Sequence, residues 1–204
     1  MKPVFTIQLS EMFPDESWSR GEVVDLRALE STCCFCENPS EVISALNGVP
    51  LDAVHLIDSG DYHYLTLFFL QRIREPFRLL LLDNHPDDQP PAFAAEMLSC
   101  GGWVKVARES LENLKSVHWN EKAQEDLPVY VSIDLDFLGR EEARTDWSQG
   151  SASLADLETL LPRGKVLGID ICGGITSAKG GTAEDFRINC RTREKLLETI
   201  ESKY

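Results

Sequence analysis

Positive charge is what this chain is short of. Its 204 residues carry 20 Lys and Arg against 34 Asp and Glu, for a net charge of −14. That balance argues against nucleic acid and anionic membrane surfaces as partners, because both are themselves negative. Long apolar runs are also missing. The longest candidate, residues 64–73, falls short of the ~20 residues a membrane helix needs and contains Gln71 and Arg72. The opening Met1-Lys2-Pro3-Val4-Phe5 lacks the apolar core of a signal peptide, so a cytoplasmic location is expected. Histidine is scarce, with 4 in the chain and no two adjacent. The six cysteines are Cys33, Cys34, Cys36, Cys100, Cys172 and Cys190. No second cysteine pair or His-x-His partner stands at zinc-site spacing, so free thiols are expected. Repeats, linkers and low-complexity segments are absent as well.

What is present is an ordinary globular composition, 43% apolar and 26% charged. The length suits one domain over residues 1–204. Strand patterns fall at 4–9, 21–26, 53–57, 78–82, 103–106, 128–133 and 166–171. Helical patterns fall at 39–46, 62–74, 91–98, 109–115, from Ser153 onward, and 182–203. Ser153 with Asp156 three residues later reads as a variant capping box. Strands alternating with helices predict a three-layer α/β/α sandwich with a mostly parallel, doubly wound sheet.

Two apolar runs end in acid. Leu79-Leu80-Leu81-Leu82 leads into Asp83-Asn84-His85-Pro86-Asp87, and Val129-Tyr130-Val131 leads into Ser132-Ile133-Asp134-Leu135-Asp136. Such runs read as buried parallel strands, and ligands of open α/β sheets bind beyond the carboxyl ends of the strands. Alternate residues of an extended segment share a side, which groups Asp83, His85 and Asp87, and separately Asp134 and Asp136. Four carboxylates converging there repel one another unless cations lie between them, and two divalent ions balance the charge. This points to a binuclear metal hydrolase. Carboxylate and imidazole donors without thiolate suit Mn²⁺, and equally admit Fe²⁺, Co²⁺ or Zn²⁺.

Asp-x-His-x-Asp followed by Ser-x-Asp-x-Asp resembles the metal signature of the ureohydrolase superfamily, the arginases and agmatinases. Ser59-Gly60-Asp61-Tyr62-His63 resembles that family's Gly-Gly-Asp-His-Ser segment, with His63 one residue late. Gly168-Ile169-Asp170-Ile171 resembles its last motif. The resemblance spans about residues 53–174 and implies an arginase-like fold. It implies that His63, Asp83, Asp87 and Asp134 hold one metal, and that Asp83, His85, Asp134 and Asp136 hold the other. Asp83 and Asp134 would bridge, with a hydroxide between the metals as nucleophile on a guanidine, amidine or amide carbon. Asp170 is expected to orient a ligand histidine. Asp58 and Asp61 rival His63 as ligands or as groups behind it.

Three departures bear on substrate. The second motif continues as Phe137-Leu138-Gly139-Arg140 rather than into Asp-Pro. The glutamate that pairs with a guanidinium in the family is replaced by Gly173, which argues against free arginine. The proton-shuttling histidine is replaced in Ser99-Cys100-Gly101-Gly102, making Cys100 a candidate for proton transfer as a thiolate, or simply a wall. Glu184 could supply the missing glutamate, and Lys179 or Arg187 could meet an anionic substrate. His55 reads as a core or edge residue and His118 as a surface one. The expected partner is a small molecule or peptide, and an oligomer is compatible. A short chain implies trimmed loops and an open pocket. The alternatives are a non-catalytic metal-binding relative and a deacetylase-like amidohydrolase, which would use paired histidines.

Overall fold

The computed structural model describes residues 2–12, 20–29, 34–90, 97–124 and 126–204. Seven strands form one sheet in the order β2-β1-β3-β7-β6-β4-β5, every pairing parallel. They are β1 (Val4–Gln8), β2 (Glu22–Asp25), β3 (Val54–Ile57), β4 (Phe77–Leu82), β5 (Leu114–Trp119), β6 (Val129–Asp134) and β7 (Val166–Cys172). The helices are α1 (Pro39–Leu46), α2 (Leu65–Leu70), α3 (Trp103–Ser110), α4 (Leu154–Leu160) and α5 (Ala183–Lys203).

Central strands β3, β6 and β7 are buried along their whole length, as expected where both faces are covered. On one face Leu79, Leu81, Ile57 and Tyr130 pack against α1, α2 and α3. On the other Leu80, Val131, Ile133 and Ile169 pack against Leu157 of α4 and Leu196 and Ile200 of α5. The result is the expected three-layer α/β/α sandwich. Helices α4 and α5 each begin with a reciprocal capping box, Ser153 with Asp156 and Thr182 with Asp185. No helix among the described residues is long and apolar enough to cross a membrane.

Three elements differ from those expected. Residues 103–106 belong to helix α3, not a strand. Trp-Val-Lys-Val alternates over four residues, but the buried Trp103, Val104 and Ala107 follow helical spacing. The helix expected at 109–115 gives way to β5, an edge strand whose partial burial leaves only a weak alternation in Leu-Lys-Ser-Val-His-Trp. The helix expected over 62–74 is shorter: a 3₁₀ turn at Gly60–Tyr62 precedes α2. Most of the helix expected at 91–98 lies outside the described residues, as does Cys33. Met97 and Leu98 are not helical.

Candidate metal centre

The site sits beyond the carboxyl ends of β3, β6 and β4. Both acidic motifs leave their strands in the same way. The Asp83 side chain accepts the His85 backbone N–H at 2.6 Å, and the Asp134 side chain accepts the Asp136 N–H at 2.9 Å. Each is a carboxylate bonded two residues ahead, the turn-forming habit of aspartate. The chain therefore curls over the strand tip rather than continuing extended. Residues 83–85 bend, Asp87 adopts φ 49°, and Asp136 lies in a 3₁₀ turn, Leu135–Phe137. The groups expected to converge do converge, through turns rather than strand alternation.

Two overlapping groups result. His63 Nδ1 stands 3.1 Å from Asp83 Oδ2, 3.2 Å from Asp87 Oδ2 and 3.7 Å from Asp134 Oδ2. His85 Nδ1 stands 2.8 Å from Asp136 Oδ2 and 3.5 Å from Asp83 Oδ1. Asp83 thus turns one oxygen to each histidine. The sets His63–Asp83–Asp87 and Asp83–His85–Asp136 each bring ligand atoms within 4.8 Å of one another, close enough to share a metal ion. The first set is fully buried. The second opens to the cavity, with the His85 side chain 29% exposed.

Each ligand-type side chain is held from behind. Nε2 of His63 bonds Ser132 Oγ at 2.8 Å, and Nε2 of His85 bonds Ser148 Oγ at 2.8 Å. A neutral ring with its proton on Nε2 turns the Nδ1 lone pair to the carboxylates, the orientation that metal-binding histidines take from their outer partners. Trp103 Nε1 donates to Asp87 Oδ2 at 2.7 Å, and the Asn84 N–H donates to Asp136 Oδ1 at 2.9 Å. The Asp83 backbone is clamped by Asn120, which accepts its N–H at 3.0 Å and donates to its carbonyl at 2.7 Å. The Trp119 indole donates to the same carbonyl at 2.8 Å.

The crowding shows in the proton affinities. Burial, with Asp83 close by, pushes Asp134 up to about 7. Burial, then Asp134 and Asp83, pushes Asp136 up to about 11. Burial and the Asp83 charge also raise Asp87. Burial opposes ionisation of Asp83, but hydrogen bonds from His63 and His85 overcome it and hold Asp83 at about 2. Burial disfavours charge on His63, yet bonds to Asp83 and Asp87 raise it well above its ordinary value. His85 is raised first by its bond to Asp83. Taken without a cation, the cluster thus holds protons that a metal would displace.

A cavity of about 180 Å³ opens onto these groups, walled further by Cys34, Phe35, Gln89, Pro90, Ser99, Cys100 and Trp147. The loop at 145–150 also supports the site, without a sequence signal that announces it. Trp147 donates its indole N–H to Asp61 at 3.1 Å, Ser148 holds His85, and the Gly150 N–H bonds the Asp136 carbonyl at 2.7 Å. Serine and tryptophan in a loop carry no spacing signal, so nothing in the sequence tied this loop to the strand ends. Asn120 was missed for the same reason.

Several expectations require correction. Asp170 does not orient a cluster histidine. It bonds His55 Nδ1 at 2.7 Å and accepts from the Tyr130 hydroxyl at 2.7 Å, in a fully buried group in which His55 also stacks on Phe69. Ser132, not Asp170, stands behind His63. Cys100 lines the cavity, but its bond with the Cys34 thiol and its burial raise its proton affinity strongly, which opposes the expected thiolate. Asp58 is taken up by the backbone N–H groups of Leu9, Ser10 and Ser59. Asp61 pairs with Lys179, which also pairs with Asp146. Glu184 pairs with Arg187 on the surface of α5 and does not line the cavity. Gly173 is required where it stands. It adopts φ 93°, and a Cβ there would lie 2.2 Å from Asp134 Oδ1, so a glutamate at this position would collide with the cluster.

No family model matches the sequence. An uncharacterised protein of Thermotoga maritima is 33% identical over 143 residues, a match covering 59% of this chain and 57% of that protein. The chain thus spans little more than half the length of this relative. Formimidoylglutamase from Bacillus subtilis superposes with a TM-score of 0.62 at 10% identity, over 98% of this chain and 87% of that one. Proclavaminate amidino hydrolase from Streptomyces clavuligerus superposes with a TM-score of 0.59 at 13% identity, over 94% and 89%. Both are ureohydrolase superfamily members, and the chain shares their α/β fold along nearly its whole length.

Proposed function

We propose that this chain is a divergent ureohydrolase, a binuclear metal-dependent hydrolase of a linear C–N bond. The observation that carries this reading is Asp83, which presents one carboxylate oxygen to His63 and the other to His85. The donor set fits two divalent ions. All donors are carboxylate oxygen or imidazole nitrogen, which suits Mn²⁺. Neighbouring ligands of an octahedral ion, each about 2.1 Å from it, stand about 3 Å apart, close to the 3.1 and 3.2 Å found around His63 Nδ1. His63, Asp83, Asp87 and Asp134 would hold one ion, and Asp83, His85, Asp134 and Asp136 the other. Two such ions would acidify a shared water and polarise the electrophilic carbon of the substrate.

The chain's own residues do the rest. Ser132 and Ser148 fix the histidine rings, Asn120 fixes the Asp83 backbone, and Trp103 fixes Asp87. Phe35 and Trp147 wall the cavity. The cavity, at about 180 Å³, is smaller than the roughly 300–1,000 Å³ usual for drug-sized ligands, and favours a small reacting group. Gly173 leaves no carboxylate where a guanidinium would be gripped, so the substrate is a guanidino, amidino or amide compound other than free arginine. A second reading, a metal-binding protein without turnover, is favoured by Cys100, a thiol held protonated where a proton carrier is expected.

The test is a metal titration followed by a substrate panel. Chelator-stripped protein should take up close to two Mn²⁺ per chain and then release urea, ammonia or amine from at least one amidine, guanidine or amide. Two Mn²⁺ without turnover across the panel selects the second reading. No metal uptake sinks both.

A further inference from the structure

The cavity wall holds two cysteines that the reaction proposed above does not use. Phe35 and Ser99 form an antiparallel bridge, flanked by the Cys36 N–H to the Leu98 carbonyl at 2.9 Å and the Cys100 N–H to the Cys34 carbonyl at 3.0 Å. This register sets Cys34 opposite Cys100. Directly opposed residues in a hydrogen-bonded antiparallel pair have Cα atoms about 5.5 Å apart, inside the roughly 4.4–6.8 Å that a disulfide spans. Both cysteines line the same cavity. Cys34 Sγ donates to Asp61 Oδ1 at 3.1 Å, and the Cys34 thiol is near enough to raise the proton affinity of Cys100. Cys34 sits at φ 73°, a backbone conformation uncommon outside glycine, and is half-buried, whereas Cys100 is buried.

We infer that Cys34 and Cys100 form a reversible disulfide across the mouth of the cavity, a redox modification site that closes access to the metal centre. The oxidant class is a peroxide. One thiol, as thiolate, attacks the peroxide; an S–O bond forms, the O–O bond breaks, and water leaves with a proton. The second sulfur then displaces the oxygen, forming S–S and releasing a second water. Two S–H bonds and one hydrogen peroxide become one disulfide and two waters, and the two sulfurs lose two electrons together. A dithiol reductant reverses the change. In the oxidised form Cys34 no longer offers an S–H to Asp61, and the segment bearing Cys34 is covalently tied to the segment bearing Cys100.

The experiment treats the full chain with hydrogen peroxide and reads intact mass and non-reduced peptides. The expected result is a mass about 2 Da lower, reflecting the two hydrogens lost on forming one disulfide, with the Cys34 and Cys100 peptides joined and the link reversed by dithiothreitol. Cys34→Ser and Cys100→Ser should each abolish the link, while Cys33→Ser and Cys36→Ser should leave it. A link within residues 33–36, or stepwise oxygen addition without a link, overturns the inference. The closing effect is read by chelator extraction of Mn²⁺ from loaded protein, which should slow several-fold on oxidation and recover on reduction; equal rates overturn the closure. The mass readout does not depend on the site holding metal or turning over, so failure of the hydrolase reading and failure of this inference remain distinguishable.

Discussion

One face of the sheet carries two buried carboxylate–imidazole constellations with opposite characters. Tyr130, Ser132 and Asp134 alternate along β6 on that face. At the level of Ser132, Asp170 takes the Tyr130 hydroxyl and His55, and His55 passes its other nitrogen to the Pro50 carbonyl. Two strand positions further on, Asp134 joins Asp83, Asp87 and Asp136 around His63 and His85. The lower group has one carboxylate, closed off by protein. The upper group stacks four carboxylates against two imidazoles at the mouth of a cavity. Chemistry here comes less from residue types than from position along the strand. Beyond the strand tip the carboxylates cannot all find protein donors, and an outside cation becomes the natural partner.

Asp83→Asn should separate the two constellations most sharply. It removes charge from both metal groups at once, so metal content should fall from about two per chain towards zero and turnover by at least ~10³-fold, given the several kcal/mol that bound metals contribute. Elemental analysis and a rate assay check this; full metal content in the variant would mean that Asp83 does not bridge.

The pH response should distinguish them next. Asp134 moves from an ordinary 3.8 up to about 7, and Asp136 from 3.8 up to about 11. In that window the metal-free fold binds more protons than the unfolded chain, so its stability should fall as pH rises from about 4 through 7. His63, also raised, acts in the same direction above its unfolded value of 6.5. Asp83, lowered from 3.8 to about 2, contributes stability that is fully present above about 4 and is lost as pH falls towards 2. Metal affinity should rise roughly tenfold per pH unit for each proton displaced. Melting curves of stripped and loaded protein between pH 4 and 8 should diverge; parallel curves would remove the protonated cluster from consideration.

Ser132→Ala and Ser148→Ala keep the ligands and loosen their rings. Metal affinity should weaken by about 10–100-fold in each, as for outer partners of metal-bound histidines. The two variants should weaken different sites in a competition titration. The smallest expected effect on metal belongs to Asp170→Asn. Stability should drop by about 1.5–3 kcal/mol as a charged buried hydrogen-bond acceptor is lost, with metal content unchanged. Loss of metal in Asp170→Asn would erase the distinction between the two constellations.

Much of the scaffold was legible because its signals are local. Apolar runs such as Leu79–Leu82 and Val129–Val131 announce strands buried on both faces, and Ser153 with Asp156 announces a helix start through a bond only three residues long. The Trp103–Val106 stretch misled because four residues fit either period, and burial against Asp87 and the sheet decided for helix. Asp170 misled because its motif placed it at a strand end near the cluster, whereas the pleat turned it towards His55 in the neighbouring strand.

The inventory of the centre is written in the order of residues alone: four carboxylates and two histidines at or after strand ends, no thiolate among them, and too little positive charge to neutralise them from within. Turn chemistry encoded in single aspartates curls each motif over its strand. Which groups meet depends on strand order and packing. Asp83 meets Asp134 and Asp136 because β4 and β6 are neighbours in a parallel sheet, and His63 reaches it from the turn that follows β3. Asn120, Ser148 and Trp147 support the site because a sheet edge and a loop fold back onto it, and Gly173 must lack a side chain because β7 brings it against Asp134. Those pairings join residues tens of positions apart, and close packing selects them rather than any local pattern.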